Sequence, residues 1–196
     1  MNIFMIAGAI SGASGLLVFL TIHHFWIKPI WFILPPGLII AGLGGLAVGW
    51  AYQELLPHLP PRPWTALAVV ALIAVILLPA IVLAERRGQI FDFDIKPGGA
   101  FLISTGQAVR IFVLNLALTS IVVGALAGWL IAHTSRAAFA TGLAGLIFAI
   151  GPGHNIPFLG GTPAAWKGVA LLLAIVIASA IVLVETQNFL TQRSLP

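Results

Sequence analysis

The chain has no cysteine among its 196 residues. Disulfide frameworks, thiolate zinc sites, iron–sulfur clusters and cysteine nucleophiles are therefore excluded. Charge is almost as scarce. Asp, Glu, Lys and Arg make up 7% of the residues, against about 25% in an ordinary soluble domain. Nine Lys/Arg and five Asp/Glu cannot cover a particle of 20.6 kDa, so a soluble globular fold is excluded. Disorder needs low hydrophobicity and high charge, and here 60% of residues are apolar and the mean hydropathy is +1.12. Enzyme signatures are also missing: the sequence contains no GxSxG, no Walker loop and no HExxH. Asp92 and Asp94 form a lone DxD without nearby acids, and no enzymatic role is expected. The net charge of +4 comes from scattered single residues. That pattern suits lipid headgroups and not nucleic acid.

What is present is apolar sequence in long runs. Six segments emerge: Asn2–Ile22, Ile30–Tyr52, Thr65–Ala84, Ile111–Ala132, Ala137–Phe158 and Gly168–Leu190. A helix needs about 20 apolar residues to cross a 30 Å hydrocarbon core. The runs are continuous, not alternating, so helices are expected and not a barrel. The fold class predicted is an all-α polytopic membrane protein of six transmembrane helices, a single domain over residues 1–196. The first run lacks a basic leader and is read as a retained helix rather than a signal peptide. The fifth is broken near its end, and its clean part, Ala137–Ile150, could instead be re-entrant. Five spans are then the alternative. All six tryptophans, Trp26, Trp31, Trp50, Trp64, Trp129 and Trp166, fall near predicted ends, as an interfacial aromatic belt requires.

Lys28, Arg86, Arg87, Lys96, Arg110 and Lys167 lie in alternate connections, and Arg62, Arg136 and Arg193 lie on the other side. The positive-inside rule then places both termini outside the cytoplasm of a multi-pass cell-membrane protein. The stretch Gly98–Arg110 reads equally as an interfacial amphipathic helix or a loop. The sequence also repeats itself at an offset of 100: GLGGL at 42–46 against GLAGL at 142–146, and AIVLAE at 80–85 against AIVLVE at 180–185. Two halves, 1–97 and 98–196, would each hold three helices. An odd number makes them an inverted repeat of the kind transporters use. The first and fourth helices align poorly at this offset.

The candidate functional residues are few. His154 and Asn155 sit in the run GPGHNIP at 151–157, where Gly and Pro break the helix and free backbone groups. An imidazole and an amide there suit an ion or a polar solute; the alternative is a loop just past the membrane. His23 and His24 fall on the same predicted side as His154, and three imidazoles at one level would suit a divalent metal. The alternative is a headgroup cluster with Phe25 and Trp26. His58 and His133 lie on the opposite side. Because all five histidines lie near segment ends, a bis-histidine haem is disfavoured. Glu85, closing the third segment, is a further candidate for cation binding, with local pairing to Arg86 and Arg87 as the alternative. Glu54 and Glu185 read as interfacial. Small-residue faces at Gly8/Gly12, Gly45/Gly49 and Gly124/Gly128 allow close helix approach, within the chain, in a homo-oligomer or against other membrane subunits.

Two stretches, His24–Ile30 after the glycine-rich first helix and Gly142–Pro152 followed by Pro157 and Gly160, resemble the cobalt-transporter subunit family CbtA. The resemblance covers about a fifth of the chain. It implies a small polytopic protein tied to divalent metal uptake, with His24 and His154 as ligands. The double histidine and the Pro-rich turn at 57–63 depart from it. The function expected is a small membrane transport protein or transport subunit for a cation, a metal or a small polar solute. The alternative is a non-catalytic transmembrane subunit of a respiratory or photosynthetic complex.

Overall fold

The computed structural model describes residues 2–26, 30–90, 101–150 and 165–193, with side chains described over 2–25, 30–80, 114–150 and 170–193. These residues form six helices: α1 Ile3–Trp26, α2 Leu34–Leu55, α3 Thr65–Ile90, α4 Phe101–Ala132, α5 Ser135–Ile150 and α6 Ala165–Arg193. Short 3-10 turns, Trp31–Ile33 and Leu56–His58, lead into and out of α2.

The helices outrun the apolar segments that predicted them. α1 continues to Trp26 and takes His23 and His24 into its last turn. α3 runs on through Glu85, Arg86 and Arg87 to Ile90, since charged side chains end a hydrocarbon span but not a helix. Phe101–Arg110 is helical and continuous with α4, so from Phe101 onward the stretch is a helix leading into the fourth segment and not a loop. α5 is the shortest at 16 residues, about 24 Å at 1.5 Å per residue. The predicted break at 151–157 lies outside the described residues.

Four stretches are long and apolar enough to cross a membrane: Ile3–Phe25, Trp31–His58, Leu114–Ala132 and Ala170–Arg193. Thr65–Ala80 and Ser135–Ile150 are apolar but shorter. Between the helix ends the described outward surface is mostly apolar. Phe32, Ile40 and Leu130 are 79%, 69% and 68% exposed, which only a lipid or a partner surface tolerates. α4 shows the pattern most plainly. Leu116, Ser120, Gly124, Gly128 and Ala132 line its buried face, and Leu114, Leu118, Val122, Leu126 and Leu130 its exposed one. Both faces are apolar or small, and what separates them is size. These are the features of a helical multi-span membrane protein.

The six helices close a circuit. α1 packs between α2 and α6, α2 against α5, α5 against α4, α4 against α3, and α3 against α6. The α2–α5 contact is antiparallel: Gly44, Ala51 and Leu55 meet Ile147, then Ala140 and Ala144, then Ala137. The tightest contacts are backbone to backbone. A methyl group at Gly8 would land on the Gly45 carbonyl oxygen, and one at Gly145 on the Ser120 carbonyl oxygen. Likewise Gly12 abuts the Ala41 carbonyl and Gly124 the Thr141 carbonyl. Positions of α2 therefore recur in α5 100 residues later (Gly45 and Gly145), and positions of α1 recur in α4 112 residues later (Gly8 and Ser120, Gly12 and Gly124). That 12-residue slip is why the first and fourth segments fail to align at an offset of 100. The largest buried cluster joins α3 to α6 through Val69, Ile73, Leu77, Val176 and Leu183, and Ala7 and Tyr52 complete it.

Candidate functional site

One end of the bundle gathers most of the described polar groups. It holds the start of α1, the end of α2, the Pro-rich connection, the α4–α5 turn and the last turns of α6. Each group has a local reason to be there. Asn2 caps α1, its Oδ1 accepting from the Phe4 amide at 3.1 Å, while its Nδ2 donates to Gln53 Oε1 at 2.6 Å. The α4–α5 turn closes on His133, whose backbone sits at φ 53. Thr134 then caps α5, Oγ1 accepting from the Ala137 amide at 3.1 Å. This turn presents Arg136, whose Nη2 lies 3.2 Å from Glu54 Oε1. The same oxygen accepts from Trp50 Nε1 at 3.1 Å, so Glu54 is held by two donors.

The Pro-rich connection is fastened to α3 by Thr65 Oγ1, which donates to the Pro60 carbonyl at 2.9 Å. Prolines 60, 61 and 63 stiffen the backbone on either side of Arg62. Arg62 reaches across to α6, where Nη2 meets Glu185 Oε2 at 3.0 Å. Both side chains remain about half exposed, 46% and 66%. A pair that exposed contributes about 0–1 kcal/mol, so it opens at little cost.

Deeper in the bundle lies a cavity of about 50 Å³ between α2, α3 and α5, with Leu183 of α6 on its wall. Its lining carries no ionised group and only two hydroxyls, those of Tyr52 and Thr141. Thr141 Oγ1 is used: it donates to the Ala137 carbonyl at 2.6 Å. Tyr52 is different. It is 4% exposed, its ring packs on Phe4 at 6.0 Å, and its hydroxyl forms no hydrogen bond among the described residues. Val48 and Phe148, 100 positions apart, both line the cavity, so it lies where the two repeated stretches meet.

Of the residues singled out from sequence, the two whose side chains are described lie elsewhere. His23 and His24 end α1 at the opposite end of the bundle, where His23 packs on Phe19 at 5.5 Å. His24 Nδ1 accepts from Trp31 Nε1 at 3.3 Å. Glu85 lies on α3, but its side chain is outside the described set, and His154 and Asn155 lie outside the described residues. Among the described residues no group of three or more His, Asp or Glu could hold a metal ion. Sequence reasoning missed Tyr52 and Arg62. A signal for Tyr52 existed: it is the sole tyrosine of the chain, one turn from the end of an apolar helix. Arg62 carried none, because its partner lies 123 residues away.

No protein-family model, curated protein or solved structure matches the chain. The likeness to the CbtA family therefore rests on the two stretches that carry it.

Proposed function

We propose that this is a small membrane transport protein built from two antiparallel three-helix halves, α1–α3 and α4–α6, with its pathway along the seam between them. The observation that supports this most is the packing. Exchanging α1 with α4, α2 with α5 and α3 with α6 returns the same circuit of neighbours. The close crossings repeat as well, Gly8 on Gly45 and Ser120 on Gly145. The α2–α5 contact, which the exchange maps onto itself, is antiparallel, and an inverted repeat requires that. In such proteins substrate sites lie near the midplane at the repeat interface, where Val48 and Phe148 line the cavity.

The orientation follows from charge. Arg62 and Arg136, at one end, are each paired with a glutamate, which suits the translocated side. Both termini then lie outside the cytoplasm. The substrate is one of two classes. A divalent cation is what the CbtA likeness implies, with His24 and His154 as ligands; His23, Asn155 and Glu85 are the further candidates that the sequence offers. A small neutral solute is what the cavity lining favours.

Reconstitution in liposomes tests the reading. Two probes suffice, radioactive cobalt(II) for the first class and a small amide for the second. Uptake of either above protein-free vesicles supports transport. Uptake of neither, with other polypeptides co-purifying in mild detergent, overturns it in favour of an accessory subunit. Cobalt uptake that persists in both His24→Ala and His154→Ala would remove those histidines from the metal path.

A further inference from the structure

We propose that α3 pivots at Pro79, so that its first part, residues 65–78, is the movable wall of the cavity, while α6 stays pinned to α1. This rests on the transport reading above, whose two halves supply the comparison.

The sequence places the pivot. Pro79 lies inside α3. Proline has no amide hydrogen, so the bond that residue 79 would give the Val75 carbonyl is missing, and the ring crowds that carbonyl. Sharp bends in helices concentrate at such positions. Every α3 residue that lines the cavity, Val69, Leu72, Ile73, Ile76 and Leu77, precedes Pro79. From α6 only Leu183 reaches it. The interruption therefore falls just past the stretch of α3 that faces the cavity.

The repeat shows what the other half has instead. AIVLAE at 80–85 follows Pro79, and AIVLVE at 180–185 follows Ser179, so Pro79 and Ser179 are equivalent positions. Ser179 keeps its amide, and its carbonyl accepts from Ser11 Oγ at 2.7 Å in the buried contact with α1. Its hydroxyl sits against Gly15, where an added methyl group would come within 2.6 Å of it. In the α3–α4 contact the offset of 112 puts Val123 and Ala127 in place of Ser11 and Gly15. Valine has no hydroxyl to donate, so this tie has no counterpart there. Ser120, one turn earlier on α4, is buried, and its Oγ has no hydrogen-bond partner among the described residues. Residues 65–78 do pack on α6, through Val69, Ile73 and Leu77. That contact is apolar, and apolar faces in a bilayer can part onto lipid tails that are equally apolar. A buried hydrogen bond finds no such replacement in hydrocarbon. One half is thus pinned at the position where the other is interrupted.

Spin-label distances in lipid nanodiscs test this without any solute. The chain has no cysteine, so labels go only where they are placed. Leu17, Leu67 and Ile181 are exposed on α1, α3 and α6. Labels at Leu17→Cys and Leu67→Cys should give a broad or two-peaked distance distribution. Labels at Leu17→Cys and Ile181→Cys should give a single narrow peak. Pro79→Ala restores the missing amide. It should remove the second Leu67 distance and leave the Ile181 distance unmoved. Pro79→Leu serves the same purpose if the alanine variant misfolds. Ser11→Ala should broaden the Ile181 peak. A Leu67 distribution as narrow as that of Ile181, or one that keeps its width when Pro79 is replaced, overturns the pivot. An Ile181 peak unchanged by Ser11→Ala overturns the pin. Pivoting without uptake of cobalt or amide sinks the transport reading alone, whereas uptake with a static Leu67 label sinks this inference alone.

Discussion

Single residues carry the turns and the polar end. Thr134 accepts the Ala137 amide at the start of α5, and losing such a cap costs about 1 kcal/mol when the replacement is Ala but only a few tenths when it is Gly. Thr134→Ala should therefore lower the midpoint of thermal unfolding in detergent more than Thr134→Gly does. Equal midpoints would show that the cap is idle. Just before it, His133 sits in the left-handed region at φ 53, a conformation that costs a residue with a Cβ about 1–2 kcal/mol. His133→Gly should raise the midpoint, less whatever the edge contact with Trp129 at 6.0 Å contributes. At this scale the sequence was least legible. Glu54 and Glu185 read only as interfacial groups, and Arg62 only as a charge that reports orientation. Their pairing depends on which helix ends meet, and a hydropathy pattern does not contain that. Tyr52 was passed over because one hydroxyl at the end of an apolar run looks like an aromatic anchor. Only the fold shows that its ring packs on Phe4 and lines the cavity.

Helices pack here by the absence of side chains. Where lipid is as apolar as leucine, close approach and dispersion replace the hydrophobic effect as the source of helix association. α1 and α2 touch at the Gly8 and Gly45 backbones. Gly8→Ala should separate them and lower the yield of folded monomer in size-exclusion chromatography. Gly42 is the control, since a methyl group there meets nothing within 4 Å. Gly42→Ala should leave folding unchanged or raise the unfolding midpoint slightly, as alanine is the better helix former. If Gly8→Ala and Gly42→Ala behave alike, the crossing does not hold the pair together. The six helices and their apolar faces were legible in sequence because hydropathy runs report them directly. Their true ends were not, since Glu85 to Gly88 is polar yet still helical. The register between α1 and α4 was hidden by a slip of 12 residues, visible only once Gly8 and Ser120 are seen in equivalent contacts.

Among the described residues the molecule is held mostly by apolar contacts, with two ion pairs at one end, Arg62–Glu185 and Arg136–Glu54. The pairs differ in burial. Glu54 has a side chain only 16% exposed and a second donor in Trp50. Glu54→Gln should therefore destabilise the protein more than Glu185→Gln does, and the loss should persist at high ionic strength because enclosed charges are screened less. Thermal unfolding of both variants at low and at molar salt checks this. Similar losses that vanish together in salt would mean that both pairs are superficial.

The circuit of helices has a topological consequence. α1 lies antiparallel to α6, with Ser11 donating to the Ser179 carbonyl at 2.7 Å and Ala7 in one cluster with Leu183 and Val184. The first helix begins where the last one finishes. A closed ring has no intrinsic starting point, so the chain can be cut elsewhere and its old ends joined. A circular permutant opened between α3 and α4, with a linker from the end of α6 to the start of α1, would keep every described helix contact in the bundle. Its new ends would emerge on the opposite face of the membrane.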